Sequence, residues 1–195
     1  MTLILFFALV IGIPVIDQIT KLIVDGNMTL YQSIPVWEDV FHITYIRNEG
    51  AAMGMLSEHR WVFLLLSTVA IIAIGFYIVH ARNKISKMEA VAFGMIAGGG
   101  IGNMIDRIFY GETLFNGAVI DFFDFRAFSF WKWIFNVADI AVCVGVGLYA
   151  LAVITFEIKE YKKRKAEKAA AETAQEGAEA TEVTEAAEAT EESHD

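Results

Sequence analysis

Two short stretches carry the same two side chains at the same spacing. GNMIDR puts Asn103 three residues before Asp106, and FNVAD puts Asn136 three residues before Asp139. Residues three apart share one face of a helix, so each stretch sets an amide beside a carboxylate. An amide N–H given to a carboxylate fixes its rotamer. Two carboxylates held close do not both ionise readily; one pKa rises and the pair shares a proton. Such a dyad can activate water as a base and protonate a departing amine as an acid. That is peptide hydrolysis without a metal, a serine or a cysteine. Spacing alone pairs Asp106 with Asp139. A structural alternative stands beside the chemical one. Asp139 could serve the first turn of a helix, where the dipole favours an anion, and Asp106 could pair with Arg107.

Other polar residues sit in apolar surroundings. Asp17 and Lys21 in DQITK are four apart and can pair along a helix; alternatively, Lys21 reaches a substrate headgroup. RNEGAAMG (47–54) is rich in small residues. Gly50 and Gly54 permit backbone that other residues resist, and open amides there could hold an extended peptide. GGGIG (98–102) lacks the GK[ST] ending of a phosphate loop and lies in an apolar run, so close helix packing is the better reading. It would also leave space for an acyl chain. Cys143 is the only cysteine and the four histidines are scattered. No disulfide, metal site or cofactor is expected.

Membrane helices must position these residues. The chain has 195 residues, 56% of them hydrophobic, and a mean hydropathy of +0.49, too apolar for an ordinary soluble domain. The net charge of −9 belongs to the tail: residues 166–195 hold ten acidic residues and one lysine, and the other 165 hold fourteen of each sign. No nucleic-acid partner is expected. Four segments are long enough to cross a bilayer: Leu3–Val24, Trp61–Ala81, Met88–Ile105 and Ile134–Phe156. The N-terminus lacks a basic region and a small-residue cleavage pattern, so the first segment reads as a retained span. Arg82, Lys84 and Lys87 follow the second span, and Lys159, Lys162, Lys163, Arg164 and Lys165 follow the fourth. The positive-inside rule makes that side, with both termini, cytoplasmic. Asp17, Lys21, Asn48, Asn103, Asp106, Asp121, Asn136 and Asp139 then all fall toward the outer face.

The expected fold is therefore an all-α membrane protein of four transmembrane helices with a small extracytoplasmic β-type loop region. Alternation in TLYQSIPVWEDVFHITYIRN suggests short strands between about 27 and 57. The loop 106–133, with Phe122, Phe123, Phe125, Phe128, Phe130, Trp131 and Trp133, reads as an aromatic segment lying on the bilayer surface. Residues 1–158 form the membrane domain. Residues 159–195 form a basic segment and an Ala/Glu-rich tail, for which disorder is predicted.

Five blocks, DQITK (17–21), RNEGAAMG (47–54), GGGIGNMIDR (98–107), VIDFFDF (119–125) and FNVADIAVCVG (135–145), resemble in that order those of bacterial lipoprotein signal peptidase, signal peptidase II. The resemblance covers residues 1 to about 158. It implies an aspartic endopeptidase of the bacterial cytoplasmic membrane. Its substrate would be a prolipoprotein whose cysteine already carries diacylglycerol, cut just before that cysteine, and the cyclic peptide globomycin would be an inhibitor. The partners would be this substrate and membrane lipid, with the protein a monomer. The resemblance assigns the catalytic pair to Asp121 and Asp139. Asp106 and Arg107 become support, as do Asn48, Gly50, Asn103, Asn136, Ala138, Asp17 and Lys21. Met53 departs from the family, which often has an aromatic there, and the tail has no counterpart in it.

Other classes fit less well. A transporter or proton relay needs carboxylates that cross the membrane, and spans two to four hold none deep in their cytoplasmic half. A passive scaffold does not account for polar residues gathered on one side. Ser33, Ser57 and Ser129 lie outside without a lysine in the context of a Ser/Lys peptidase.

Overall fold

In a computed structural model, residues 2–50, 60–127 and 133–191 are described, with side chains to Lys168 except those of Arg60 and Phe63. The elements run α1 (Thr2–Asn27), β1 (Ser33–Trp37), β2 (Phe41–Asn48), α2 (Arg60–His80), α3 (Lys87–Phe109), β3 (Val119–Phe125), β4 (Ile134–Phe135) and α4 (Val137–Glu191). Two compact units divide at Ala150, Met1–Ala150 and Leu151–Asp195. Met53, Gly54, Ser57, Phe128, Ser129, Phe130 and Trp131 lie outside the described residues.

Among the described residues, three helices are long and apolar enough to cross a membrane: Thr2–Asn27, Lys87–Phe109 and Val137–Lys168. The apolar stretch of α2, Leu64–His80, is shorter. In α1 the buried residues are Phe6, Pro14, Asp17, Lys21 and Val24, while Ile4, Ile11, Val15, Ile16, Ile19, Leu22 and Ile23 are exposed. From Pro14 onward the buried positions recur every three or four residues, one face of a helix. Polar groups face inward and apolar ones outward, the inverse of a soluble helix and the pattern of a segment bathed in lipid.

Glycines let the helices approach. A Cβ on Gly98 would lie 2.7 Å from the Leu9 carbonyl oxygen of α1, and one on Gly99 would collide with the Ala138 carbonyl of α4. At Gly102 it would lie 2.7 Å from Asp17 Oδ2 and 3.2 Å from Ala138 Cβ. The GGGIG run is thus a packing stripe. Below it, Phe6, Ile78, Ile85, Ala90 and Ala97 form an apolar core of α1, α2 and α3. Ser86 caps α3 in a reciprocal box with Glu89.

The strands form one antiparallel sheet in the order β1-β2-β3-β4. β1 and β2 fall in the segment where strands were expected. β3 and β4 do not match the expected surface-lying loop. Phe122 is buried with Val24, Tyr45 and Ile120. Phe41–Phe125 and Phe125–Phe135 are ring contacts across neighbouring strands and across the sheet, at 5.0 and 5.9 Å. The interface preference of aromatic rings points to a surface anchor; in β3 both faces are covered instead, and five of its seven residues are buried. Ile134 and Phe135 pair with Asp124 and Phe123, so the fourth helix starts at Val137 rather than Ile134.

Asp121 and Asp124 are three apart in β3 and therefore project to opposite faces. The β2–β3 pairing shifts between Ile43 and Ile46, with three residues of β2 opposing two of β3, a bulge that re-aims the strand end carrying Asn48. α4 continues as helix to Glu191; the Ala and Glu of the tail, for which disorder is predicted, are strong helix formers.

Candidate active site

The site is built where α1, α3, β3 and the start of α4 meet. Asn136 is the N-cap of α4. Its Oδ1 accepts the Asp139 backbone N–H at 2.9 Å, and its own N–H goes to Asp139 Oδ2 at 3.2 Å. This reciprocal pair holds the Asp139 carboxylate at the helix N-terminus, where the dipole favours its charge. This is the first-turn role that the sequence allowed for Asp139.

The same asparagine reaches β3. Asn136 Nδ2 donates to Asp121 Oδ1 at 2.6 Å and to the Ile120 carbonyl at 3.3 Å. Asn48 Nδ2 donates to Asp121 Oδ2 at 2.9 Å from β2. Both oxygens of Asp121 are therefore held, and the residue is 1% exposed. Asn48 Oδ1 accepts the Gly50 N–H at 3.1 Å, which orients its amide. Asn103 Nδ2 donates to Asp139 Oδ1 at 2.7 Å. Burial, then the neighbouring Asp139 charge, push Asp121 up to about 7, against the opposing pull of Asn48, Lys21 and Asn136.

Beneath these residues lies a second, fully buried group. Lys21 Nζ contacts Asp17 Oδ2 at 2.7 Å, Asp106 Oδ2 at 2.8 Å and Asn103 Oδ1 at 3.0 Å. Asp17 Oδ1 accepts the Ala138 N–H at 2.9 Å. Asp106 accepts Gln18 Nε2 at 2.6 Å and the Ile120 N–H at 3.1 Å. Arg107 Nη1 donates to the Asn103 carbonyl at 3.3 Å. Asp106 is thus engaged with Lys21 and the backbone of β3, while Asp121 and Asp139 share Asn136. Lys21 is 0% exposed. It pairs with Asp17, as one of the two sequence readings had it, and Asp106 and Asn103 complete the oxygens around its ammonium.

The chain matches the family model described as Signal peptidase (SPase) II over residues 9–155. It belongs to the signal peptidase II family. The lipoprotein signal peptidase of Halalkalibacterium halodurans is 39% identical over 155 residues, 80% of this chain and 95% of that one. That of Geobacter sulfurreducens is 41% identical over 162 residues, again 80% and 95%. A solved bacterial membrane enzyme superposes with a TM-score of 0.68 at 30% identity, covering 77% of this chain and 87% of its own. Membership in the signal peptidase II family makes the chain a peptidase, and its apolar helices fit a bacterial membrane protein.

Asp17, Lys21, Asn48, Gly50, Asn103, Asp106, Arg107, Asp121, Asn136, Ala138 and Asp139 of this signal peptidase II member are joined in the network just described. Gln18 was missed. Its signal was available, an amide beside Asp17 in an otherwise apolar helix. Two further clusters were also missed. Asp25 accepts Tyr45 Oη–H and the Arg47 guanidinium, the latter at 2.9 Å, and so ties the end of α1 to β2 just before Asn48. Asp124 accepts Thr44 Oγ1 at 2.7 Å and Arg126 Nε at 2.8 Å on the other face of the sheet. Among the described residues, no three His, Cys, Asp or Glu side chains are grouped as metal ligands would be.

Proposed function

We propose that the protein is an aspartic endopeptidase that removes the signal peptide from diacylglyceryl-modified prolipoproteins, cutting just before the lipidated cysteine. Asp121 and Asp139 are the catalytic pair. The observation that carries this reading is that one asparagine, Asn136, binds both carboxyls: Nδ2 to Asp121 and the cap to Asp139. Two acids fixed by one residue are the geometry a shared proton requires.

Asp121, the more buried acid, holds the proton at rest. Asp139, half-buried at the helix N-terminus, is the base. Asp139 takes a proton from water as its oxygen attacks the scissile carbonyl carbon, and Asp121 gives its proton to the carbonyl oxygen. In the collapse that follows, the C–N bond breaks, Asp139 passes its proton to the departing nitrogen, and Asp121 regains one from the hydroxyl. Asn48, Gly50 and Asn103 hold the acids and the peptide in register. The enzyme works as a monomer with four spans, both termini cytoplasmic and the site at the outer face of the cytoplasmic membrane. There the substrate's acyl chains stay in lipid, and globomycin blocks the site.

The test is cleavage of a purified prolipoprotein, pre-modified with diacylglycerol, in detergent. Cleavage by wild type that stops short of the cysteine and vanishes in Asp121→Asn and Asp139→Asn is expected. Equal cleavage of an unlipidated substrate would remove the lipid requirement from the reading.

A further inference from the structure

Lys21 is the largest fully buried side chain among the described residues, and pairing with Asp17 uses only one of its three N–H groups. The ammonium has three donors and no acceptor, and three oxygens surround it: Asp17 Oδ2, Asp106 Oδ2 and Asn103 Oδ1. The third is a neutral amide, which charge balance does not call for. Both carboxylates also have other donors, from Ala138, Gln18 and Ile120.

We propose that Lys21 is a positioning residue for Asp139: its ammonium fixes the Asn103 amide in the sense that turns Nδ2 toward the Asp139 carboxylate. The inference rests on the reading of Asp139 as a catalytic group. An ammonium can face only the amide oxygen, and a carboxylate only the amide nitrogen. Turning Asn103 over would set N–H against N–H at Lys21 and oxygen against oxygen at Asp139. Asn136 does not hold the amide alone. Its Nδ2 has two hydrogens for three acceptors: Asp121 Oδ1 at 2.6 Å, Asn103 Oδ1 at 3.0 Å and the Ile120 carbonyl at 3.3 Å. The shortest goes to Asp121 and the second is contested by Asn103 and Ile120, so Lys21 is the donor to Asn103 Oδ1 that carries a full charge. A charge one residue removed from Asp139 thereby decides whether its Oδ1 keeps the Asn103 donor, while Oδ2 keeps the Asn136 N–H.

Lys21→Met alone strands two buried carboxylates and endangers folding. The informative variant is Asp17→Asn/Lys21→Met, which removes one charge of each sign. Its kcat and KM for the diacylglyceryl prolipoprotein would be measured beside its thermal midpoint, in the Asn103 and Asn103→Leu backgrounds. With Asn103 present, kcat is expected to fall about 100-fold, with KM changed less than about threefold, as for a misplaced reacting group. In the Asn103→Leu background the same change is expected to cost less than about threefold, the non-additivity of a residue acting through another. Asp17→Asn/Lys21→Gln, which restores an N–H at the same place, is expected to recover about tenfold of the loss. Losses that multiply in full, or a kcat near wild type, would overturn the proposal while leaving the dyad intact. Asp139→Asn serves as the control; if it cleaves like wild type, the dyad reading fails and this inference with it.

Discussion

Asn136 Nδ2 lies 2.6 Å from Asp121 Oδ1, closer than Asn48 Nδ2 lies to Asp121 or Asn103 Nδ2 to Asp139. The same residue caps the helix that carries Asp139. Helix start and catalytic geometry are therefore one structural event. Asn136→Ala is expected to lower kcat by about 100-fold and to cost about 1–2 kcal/mol of stability through the lost cap. Steady-state kinetics and a thermal melt on the same preparation check both. Asn136→Ser, which keeps a cap oxygen but lacks the donor to Asp121, is expected to recover stability and not rate.

Much of this was legible in the sequence because polar residues in lipid-facing helices have few places to go. Asp17, Lys21, Asn103, Asp106 and Asp139 stand out against apolar runs, and their common end followed from topology alone. The glycine stripe 98–102 was also readable, since it lacks the residues of a phosphate loop. The choice between Asp106 and Asp121 was not readable from spacing. Asp106 has the helical register with Asn103, but Asp121 reaches the site from a strand whose apolar neighbours hide its alternation. Burial of Lys21 was half-visible: the four-residue spacing gave its partner on α1 but not Asp106 and Asn103, which arrive from a helix more than 80 residues away.

pH dependence follows from Asp121. Its folded pKa is raised from 3.8 to about 7, first by burial and then by Asp139. The folded state holds this proton more tightly than the unfolded state. The stability tied to it is fully present below 3.8 and lost as pH rises toward about 7. Chemical denaturation across that window is expected to show stability falling with pH, less steeply in Asp121→Asn. The rate at low substrate is expected to fall as pH rises through about 7, because the acid form of Asp121 is lost. A rate that is flat from pH 5 to 9 would contradict the role given to Asp121.

The glycines of α3 differ in what surrounds them. Gly102→Ala would set a Cβ 2.7 Å from Asp17 Oδ2, where α1 and α4 both press, whereas at Gly100 the nearest atom is Ile71 Cδ1 at 3.4 Å. Gly102→Ala is expected to cost about 1–3 kcal/mol and to reduce cleavage by disturbing Asp17 and Lys21. Gly100→Ala is expected to leave both nearly unchanged. Thermal midpoints of the two variants make the comparison.

The opposite face of β3 separates structure from chemistry. Asp124 binds Thr44 and Arg126 on the face of β3 opposite Asp121. Asp124→Ala takes an acceptor from Thr44 and Arg126, both of which keep Ser33 as a partner, and is expected to cost about 1 kcal/mol, with kcat of the folded fraction close to wild type. A loss of kcat as large as that of Asp121→Asn would mean that the sheet face was misassigned.

The pairing of the acids is the central claim, and one experiment addresses it most directly. Wild type, Asp106→Asn, Asp121→Asn and Asp139→Asn, matched for folded protein, would be given the diacylglyceryl prolipoprotein and followed by gel shift. Lost cleavage in Asp121→Asn and Asp139→Asn, with a reduced but measurable rate in Asp106→Asn, is the predicted result. Asp106 bears on Lys21 and the Ile120 N–H, so its loss loosens the site without removing a reacting group. Cleavage that survives Asp121→Asn but not Asp106→Asn would contradict the account and restore the pairing that spacing alone suggests.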